Sequence, residues 1–272
     1  MEKEKQQQID FTDLLQKRKY DRNKKTYASH IAFTIQQKNI ATLGSYCVLT
    51  GLPKTGKSTF LSALIGSAYL PSNQEIFTLK LHLTSRRKRI CYFDTESAEH
   101  DFYQQINRIK NFSLTSDLPE FIDAFCLRED EPNVIKNLII EYLNNTPDCC
   151  ILIIDGFLDL CFNYNDEVET RVLTNWFKKI TKEYNIMLLG VLHTGKGHNQ
   201  DTLGHLGSNT DRWANSTLIV EKDKNKNQHI LKPKFLRSAS DFDPIAIEYF
   251  NNAWCQVPYY ATDEIIKQKI KK

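Results

Sequence analysis

The stretch Gly51–Thr59, "GLPKTGKST", decides how the rest of the chain is read. It fits the spacing G-x-x-x-x-G-K-[ST] through Gly51, Gly56, Lys57 and Ser58. A run of apolar and hydroxyl residues, Tyr46–Thr50, precedes it, and the apolar "TFLSALIGSAYL" follows. That order predicts a strand, a tight loop and the first turn of a helix. Glycines at the two ends of the loop let backbone N–H groups turn towards an anion, and the helix N-terminus adds partial positive charge. Gly51, Lys54, Thr55, Gly56, Lys57, Ser58 and Thr59 are therefore the candidate phosphate-binding residues. Lys57 is placed to neutralise β and γ phosphates, and the Ser58 hydroxyl to ligate Mg²⁺.

Downstream of the loop, apolar runs alternate with helical periodicity. Strands are expected at Ile90–Asp94, Phe121–Leu127, Cys149–Asp155 and Ile186–His193. Between them, Phe102/Ile106/Ile109, Val134/Leu138/Tyr142 and Val168/Val172/Trp176/Ile180/Tyr184 recur at three- and four-residue intervals. Such alternation predicts an α/β fold with a mostly parallel central sheet flanked by helices. Beyond residue 215 the runs shorten to Ser216–Glu221, His229–Phe235 and Pro244–Phe250, with the polar turn "KDKNKNQ" after the first. These predict antiparallel strands that extend the sheet at its C-terminal end. The simplest division is a polar, basic arm (1–30), one domain (31–260) and a charged tail (261–272).

The run "CCILIID" ends in Asp155, at the end of a strand where ligands of parallel sheets bind. A carboxylate there can hold a magnesium-bound water, although an Asp before a glycine can also serve a turn. Hydrolysis further needs a group that orients or deprotonates water, and the residue after Asp155 is Gly156. Asp159 lies past the strand. The stronger candidate is Glu96 in "RICYFDTES" (89–97), which would reach the γ-phosphate if its strand sits between the loop strand and the Asp155 strand. Glu96 can equally be a first-turn acid of the following helix. "NKNQ" (225–228) is not a guanine-reading N-K-x-D, so ATP is the expected nucleotide, with Mg²⁺.

Together "GLPKTGKST", "YFDTES", "LIIDGFLDL" and "GVLHTGKG" resemble the RecA-fold P-loop ATPases, and more narrowly the RepA-type hexameric helicases of plasmids and mobile elements. The resemblance covers about residues 44–250. It implies an oligomeric ring, hexameric in that family, that hydrolyses ATP and acts as a helicase or translocase in mobile-element replication or transfer. It also implies Glu96 as catalytic base, Asp155 as metal support and His193 as γ-phosphate sensor. Two departures stand out. A single His193 follows Leu192 where the family often pairs histidines. Lys232-Pro-Lys234 stands where K-x-R is usual, leaving Lys234 or Arg237 to act on the neighbouring subunit's nucleotide. Lysine lacks the planar fork that suits phosphate.

Residues 194–213 hold four glycines with Lys196, His198, His205 and Arg212. In such rings a loop here contacts nucleic-acid backbone, so 194–213 is a candidate single-stranded nucleic-acid contact. A surface loop ordering around nucleotide is the competing reading. "KRKYDRNKK" (17–25), with six basic residues and one acid, is either a second such contact or a solvated helix. An alternative function uses the same fold as a nucleotide-dependent regulatory or scaffolding switch that binds proteins. A recombinase filament fits less well, for want of an accessory DNA-binding domain.

The net charge of +3 points to no particular partner. No run of 18 apolar residues is present and the start "MEKEKQQQID" has no apolar segment behind its charges, so neither membrane span nor secretory leader is expected, and a cytoplasmic location is. Seven cysteines without a CxxC pair are expected to be reduced core thiols. The histidines lack the spacing of a metal cluster.

Overall fold

The structure is a computed structural model and describes residues 10–25, 28–195 and 202–260. Its elements run α1 (Phe11–Arg18), β1 (Ile31–Ile35), β2 (Lys38–Thr42), β3 (Tyr46–Gly51), α2 (Lys57–Ser67), β4 (Leu79–Leu81), β5 (Arg89–Asp94) and α3 (Glu99–Ser113). They continue as β6 (Ile122–Cys126), α4 (Pro132–Asn145), β7 (Cys149–Asp155), α5 (Glu167–Glu183), β8 (Met187–His193) and α6 (Gly204–Trp213). The chain closes with β9 (Ser216–Asp223), β10 (Gln228–Leu236), β11 (Ile245–Phe250) and β12 (Ala253–Val257).

Nine strands form one sheet in the order β12-β11-β10-β9-β3-β8-β7-β5-β6. From β9 to β6 every neighbouring pair is parallel, and β10, β11 and β12 add antiparallel strands beyond β9. The α/β architecture and the antiparallel C-terminal end are thus as the sequence predicts. Two details differ. The first C-terminal strand, β9, runs parallel to β3, so the antiparallel part begins one strand later. Between β3 and β7 lies β8, not the Glu96 strand. β5 pairs on the far side of β7.

Alternate residues of each central strand face opposite layers. Cys47 and Leu49 of β3 pack with α2, Cys150 and Ile153 of β7 on one face, while Tyr46, Val48, Leu152 and Ile154 pack with α4 and α5 on the other. The first layer also takes in a three-stranded antiparallel sheet, β2-β1-β4, whose Phe33, Ile35, Ile40 and Leu81 are buried. These strands of three to five residues lie outside the periodic pattern, most of them before residue 45 where it begins. Lys80 of β4 is buried and donates to the carbonyls of Ser67 (2.7 Å), Leu70 (2.7 Å) and Pro71 (2.9 Å). It thereby satisfies acceptors left free where α2 ends, and it fastens the small sheet to the helix that carries Lys57.

Five cysteines (47, 91, 149, 150, 161) are buried, as expected of core thiols, but Cys126 and Cys255 are exposed. Burial pushes the Cys47 thiol up to about 12, leaving it protonated. Among the described residues no helix is long and apolar enough to cross a membrane.

Candidate functional site: the phosphate loop and three strand ends

The loop is built as its glycines require. Gly56 takes φ +96° and Gly51 φ +151°. A Cβ on Gly51 would come 2.4 Å from the Val220 carbonyl, and one on Gly56 would come 2.6 Å from Nδ1 of His229. The loop therefore lies directly on β9 and β10. His229 donates from Nδ1 to the Thr55 carbonyl at 2.6 Å, and the Thr55 hydroxyl donates to the Leu52 carbonyl at 2.8 Å. Burial holds the His229 pKa below its ordinary value, which keeps the ring neutral beneath an anion-binding loop. His229 carries no signal in the sequence, because it reads as one more residue of an alternating strand.

Lys57 is buried and donates to the carbonyls of Gly51 (2.9 Å) and Leu52 (3.0 Å) and to Nδ1 of His193 (3.2 Å). His193 in turn meets the Glu96 carboxylate through Nε2 at 3.3 Å. An ammonium only donates and a carboxylate only accepts, so one tautomer, with hydrogen on Nε2, serves both contacts. A continuous line of polar contacts, Lys57–His193–Glu96, thus crosses the C-terminal ends of β3, β8 and β5. Burial lowers the Lys57 pKa, offset in part by Glu96 and Asp155. For Glu96 burial pushes the other way, yet the His193 hydrogen bond and the Lys57 charge outweigh it and hold the carboxyl below its usual range.

Glu96 reaches this line although β5 lies beyond β7, because the chain turns back across the end of β7. The turn is fixed by Thr95, whose hydroxyl lies 3.0 Å from the Asp155 carbonyl, 3.1 Å from the Gly156 carbonyl and 2.7 Å from Oδ2 of Asp159. Gly156, with φ +126°, leaves the space: a Cβ there would lie 2.1 Å from the Thr95 hydroxyl, 2.7 Å from Asp159 and 2.9 Å from Cγ of Glu96. The residue after Asp155 has no side chain because Glu96 and Thr95 fill its place. Asp159 is a partner of Thr95 in this packing. Gly156→Ala should lower stability by about 2–4 kcal/mol, combining the strained φ with the overlap. Urea denaturation measures it, and an unchanged midpoint would contradict the close approach.

Asp155 and Asp94 sit opposite each other at the ends of β7 and β5. The Tyr92 hydroxyl lies 3.0 Å from Oδ2 of Asp94 and 3.3 Å from Oδ2 of Asp155. Burial, Asp94 and Glu96 together push the Asp155 carboxyl up to about 8. Two buried carboxylates of like charge suit a hard divalent cation, which would relieve their repulsion. Among the described residues no group of three or more His, Cys, Asp or Glu side chains is arranged to hold a metal by itself. Mg²⁺ takes one or two protein oxygens and completes its shell with phosphate and water, so the Asp155 end of the pair would be enough for it. Asp94 and Tyr92 are not among the site residues the sequence singles out; both look like ordinary strand residues until the register pairs them with Asp155.

Lys54, Gly56, Lys57, Ser58, Thr59, Glu96, Asp155 and His193 border one open cavity of about 570 Å³. Pro53, Arg108, His229 and Trp254 complete its wall. Lys234 and Arg237 lie elsewhere. The Lys234 ammonium donates to Thr202 (2.8 Å) and to Asp211 (3.0 Å), and Arg237 donates to the Arg212 carbonyl.

The segment 194–213 is not one loop. Residues 204–213 form α6, with Leu206 buried and Asn209 donating to the Thr170 hydroxyl of α5 at 3.1 Å. Gly207 is in the helix because its α-carbon abuts Thr202, where a Cβ would come 2.3 Å from backbone carbon. Glycine here marks close packing rather than looseness. Lys196 and His198, residues 1–9 and the tail 261–272 lie outside the described residues.

Comparison with known proteins bears on the fold and the family. No curated protein matches the chain by sequence. Among solved structures it is similar to the KaiC-like protein of the hyperthermophilic archaeon Pyrococcus horikoshii, with TM-score 0.55 and 12% identity over 80% of this chain and 91% of that one. The likeness is one of fold. A family model described as AAA domain matches residues 36–199. That span holds the phosphate loop, Glu96, Asp155 and His193. The RepA-type resemblance is thereby met at its coarser level, a RecA-type P-loop ATPase domain. The match takes in more than half of the 272 residues, and the chain belongs to the AAA domain family.

Proposed function

We propose that the protein binds and hydrolyses Mg²⁺-ATP and works as an oligomeric, nucleotide-dependent regulatory ATPase whose partners are proteins. The Lys57–His193–Glu96 line carries this reading. In it an ammonium, an imidazole and a carboxylate lie within hydrogen-bonding reach of one another, which supports their roles as phosphate-binding cation, γ-phosphate sensor and base. In the proposed reaction Glu96 orients and deprotonates the attacking water, and Lys57 neutralises charge that develops on the phosphoryl oxygens. Ser58 and Asp155 would hold the cation, and Asp94 lies opposite Asp155 at the end of β5. Mg²⁺, when bound, supplies further neutralisation of the phosphates. His193, held between Lys57 and Glu96, would lose its Lys57 contact when the ammonium turns to a phosphate oxygen, and so would report the nucleotide state to β8.

One observation favours a switch over a motor. Residues 204–213 are packed on α5 as a helix, which leaves less of the segment to reach nucleic acid. Lys234 is already paired with Asp211, so Arg237, exposed just past the end of β10, is the better group to act on a neighbour's nucleotide in a ring. One observation supports the helicase or translocase reading: the basic stretch 17–25 is exposed throughout. ATP turnover measured with and without single-stranded DNA or RNA separates the two, alongside negative-stain imaging with ATP. The proposal expects closed oligomers and turnover changed less than about twofold by nucleic acid. Stimulation of about tenfold or more would replace the switch with the motor, since backbone contact of that kind is what a translocase couples to hydrolysis.

A further inference from the structure

Tyr92 is fully buried in β5, its ring stacked on Phe102 of α3 at 6.3 Å and 9°. A phenylalanine would fill that place as well. Only a hydroxyl reaches the two acids at the strand ends, Asp94 at 3.0 Å and Asp155 at 3.3 Å. Those acids face different tasks. Oδ1 of Asp94 accepts from the backbone N–H of Glu96 (3.1 Å) and of Ser97 (2.8 Å), so this side chain ties down the turn that carries Glu96. Asp155 borders the phosphate-loop cavity, and among the described residues Tyr92 is the one hydrogen-bond partner of its carboxyl group. We propose that Tyr92 is a positioning residue that holds the cation side of the site, at Asp155, in register with Glu96 through Asp94. The proposal rests on the phosphate and base assignments above and adds how the two halves of that site are kept in alignment.

Three features support it. One atom, the Tyr92 oxygen, is common to both contacts, so whichever acid takes its hydrogen, the same fixed point sets where Oδ2 of each can lie. That point is rigid, because the ring is locked between β5 and Phe102 with no exposed surface. The path onward to Glu96 is short and also fixed. Asp94 holds the N–H of Glu96 itself, and the intervening Thr95 is fastened to the Asp155 and Gly156 carbonyls. Hydrolysis asks for this kind of bracing, since a water on Glu96 must line up with a phosphate whose cation sits on Asp155. A misplacement of about 1 Å can cost on the order of 10²-fold in rate. Partners that hydrogen-bond a metal-binding carboxylate likewise orient it and tune its affinity.

Tyr92→Phe keeps the ring and removes the bridge. Single-turnover hydrolysis of Mg²⁺-ATP should fall about 10–100-fold, the range for losing the partner of a metal-binding carboxylate. Calorimetry with a non-hydrolysable ATP analogue should show the cause. Its gain in affinity when Mg²⁺ replaces EDTA should shrink about tenfold or more, while binding in EDTA, and that of inorganic tripolyphosphate, should stay within about twofold. The unchanged binding also reports that the variant is folded. In a Glu96→Gln background at saturating Mg²⁺, adding Tyr92→Phe should cost less than about threefold in hydrolysis, because residues acting through one group do not add. An equal loss of analogue affinity with and without Mg²⁺, a full further loss in the Glu96→Gln background, or unchanged hydrolysis would each overturn the coupling. If the unaltered protein binds neither the analogue nor tripolyphosphate, the phosphate reading falls and this proposal with it.

Discussion

Replacing Glu96 by Gln should reduce ATP hydrolysis by about 10²–10⁴-fold, the span of a lost general base, while Mg²⁺-ATP still binds. The substitution is close to isosteric, and the introduced amide carbonyl can still accept from Nε2 of His193, so the Lys57–His193 contact at 3.2 Å need not move. What disappears is a carboxylate that burial would otherwise raise and that His193 and Lys57 hold ionised. Phosphate release under single-turnover conditions, paired with calorimetric ATP affinity, separates lost chemistry from lost binding. Ordinary turnover by the Glu96→Gln protein would remove Glu96 from the mechanism and return attention to Asp159.

Replacing Lys57 by Ala should act earlier, on binding. The ammonium is the buried positive charge of the loop, and it also ties the carbonyls of Gly51 and Leu52 together. Its loss should lower kcat/KM by more than about 10²–10³-fold, the range for deleting one preorganised donor to transition-state charge. ATP and tripolyphosphate should lose affinity together. Arg at this position should not rescue, since the guanidinium is larger and burial already disfavours charge here. If the Lys57→Ala protein binds tripolyphosphate normally, the anion is held by backbone alone.

Much of this site is legible in the sequence because its signals are local. The loop, its strand and its helix occupy one unbroken stretch, and Asp155 ends the longest apolar run. Glu96 can be picked out from the absence of an acid at position 156, yet the route by which it arrives cannot. The sequence suggests its strand next to the loop strand, and the structure puts two strands, β8 and β7, between them. Sheet order is set by crossovers whose partners are far apart along the chain, and periodicity carries no information about them. The same limit hides His229, Asp94, Tyr92 and Trp254, whose meaning lies in what they face. The small sheet is silent because strands of three to five residues give too few repeats of the period to register. Residues 204–213 mislead for a different reason: glycine marks either a loose segment or a tight approach, and only the presence of Thr202 against Gly207 shows which.

The clearance at Gly156 has a consequence for how this site could change over time. An acid at position 156 and an acid at position 96 are competing solutions that claim one volume, so a lineage cannot drift from one to the other by single steps through working intermediates. Acquiring the acid at 156 first collides with Thr95, and losing Glu96 first removes the proposed base. Crossing between them requires Thr95, Glu96 and Gly156 all to change. The pair is therefore mutually exclusive and self-perpetuating: once Glu96 is in place, every change at 156 is harmful, and the glycine is locked in by a residue sixty positions earlier in the chain.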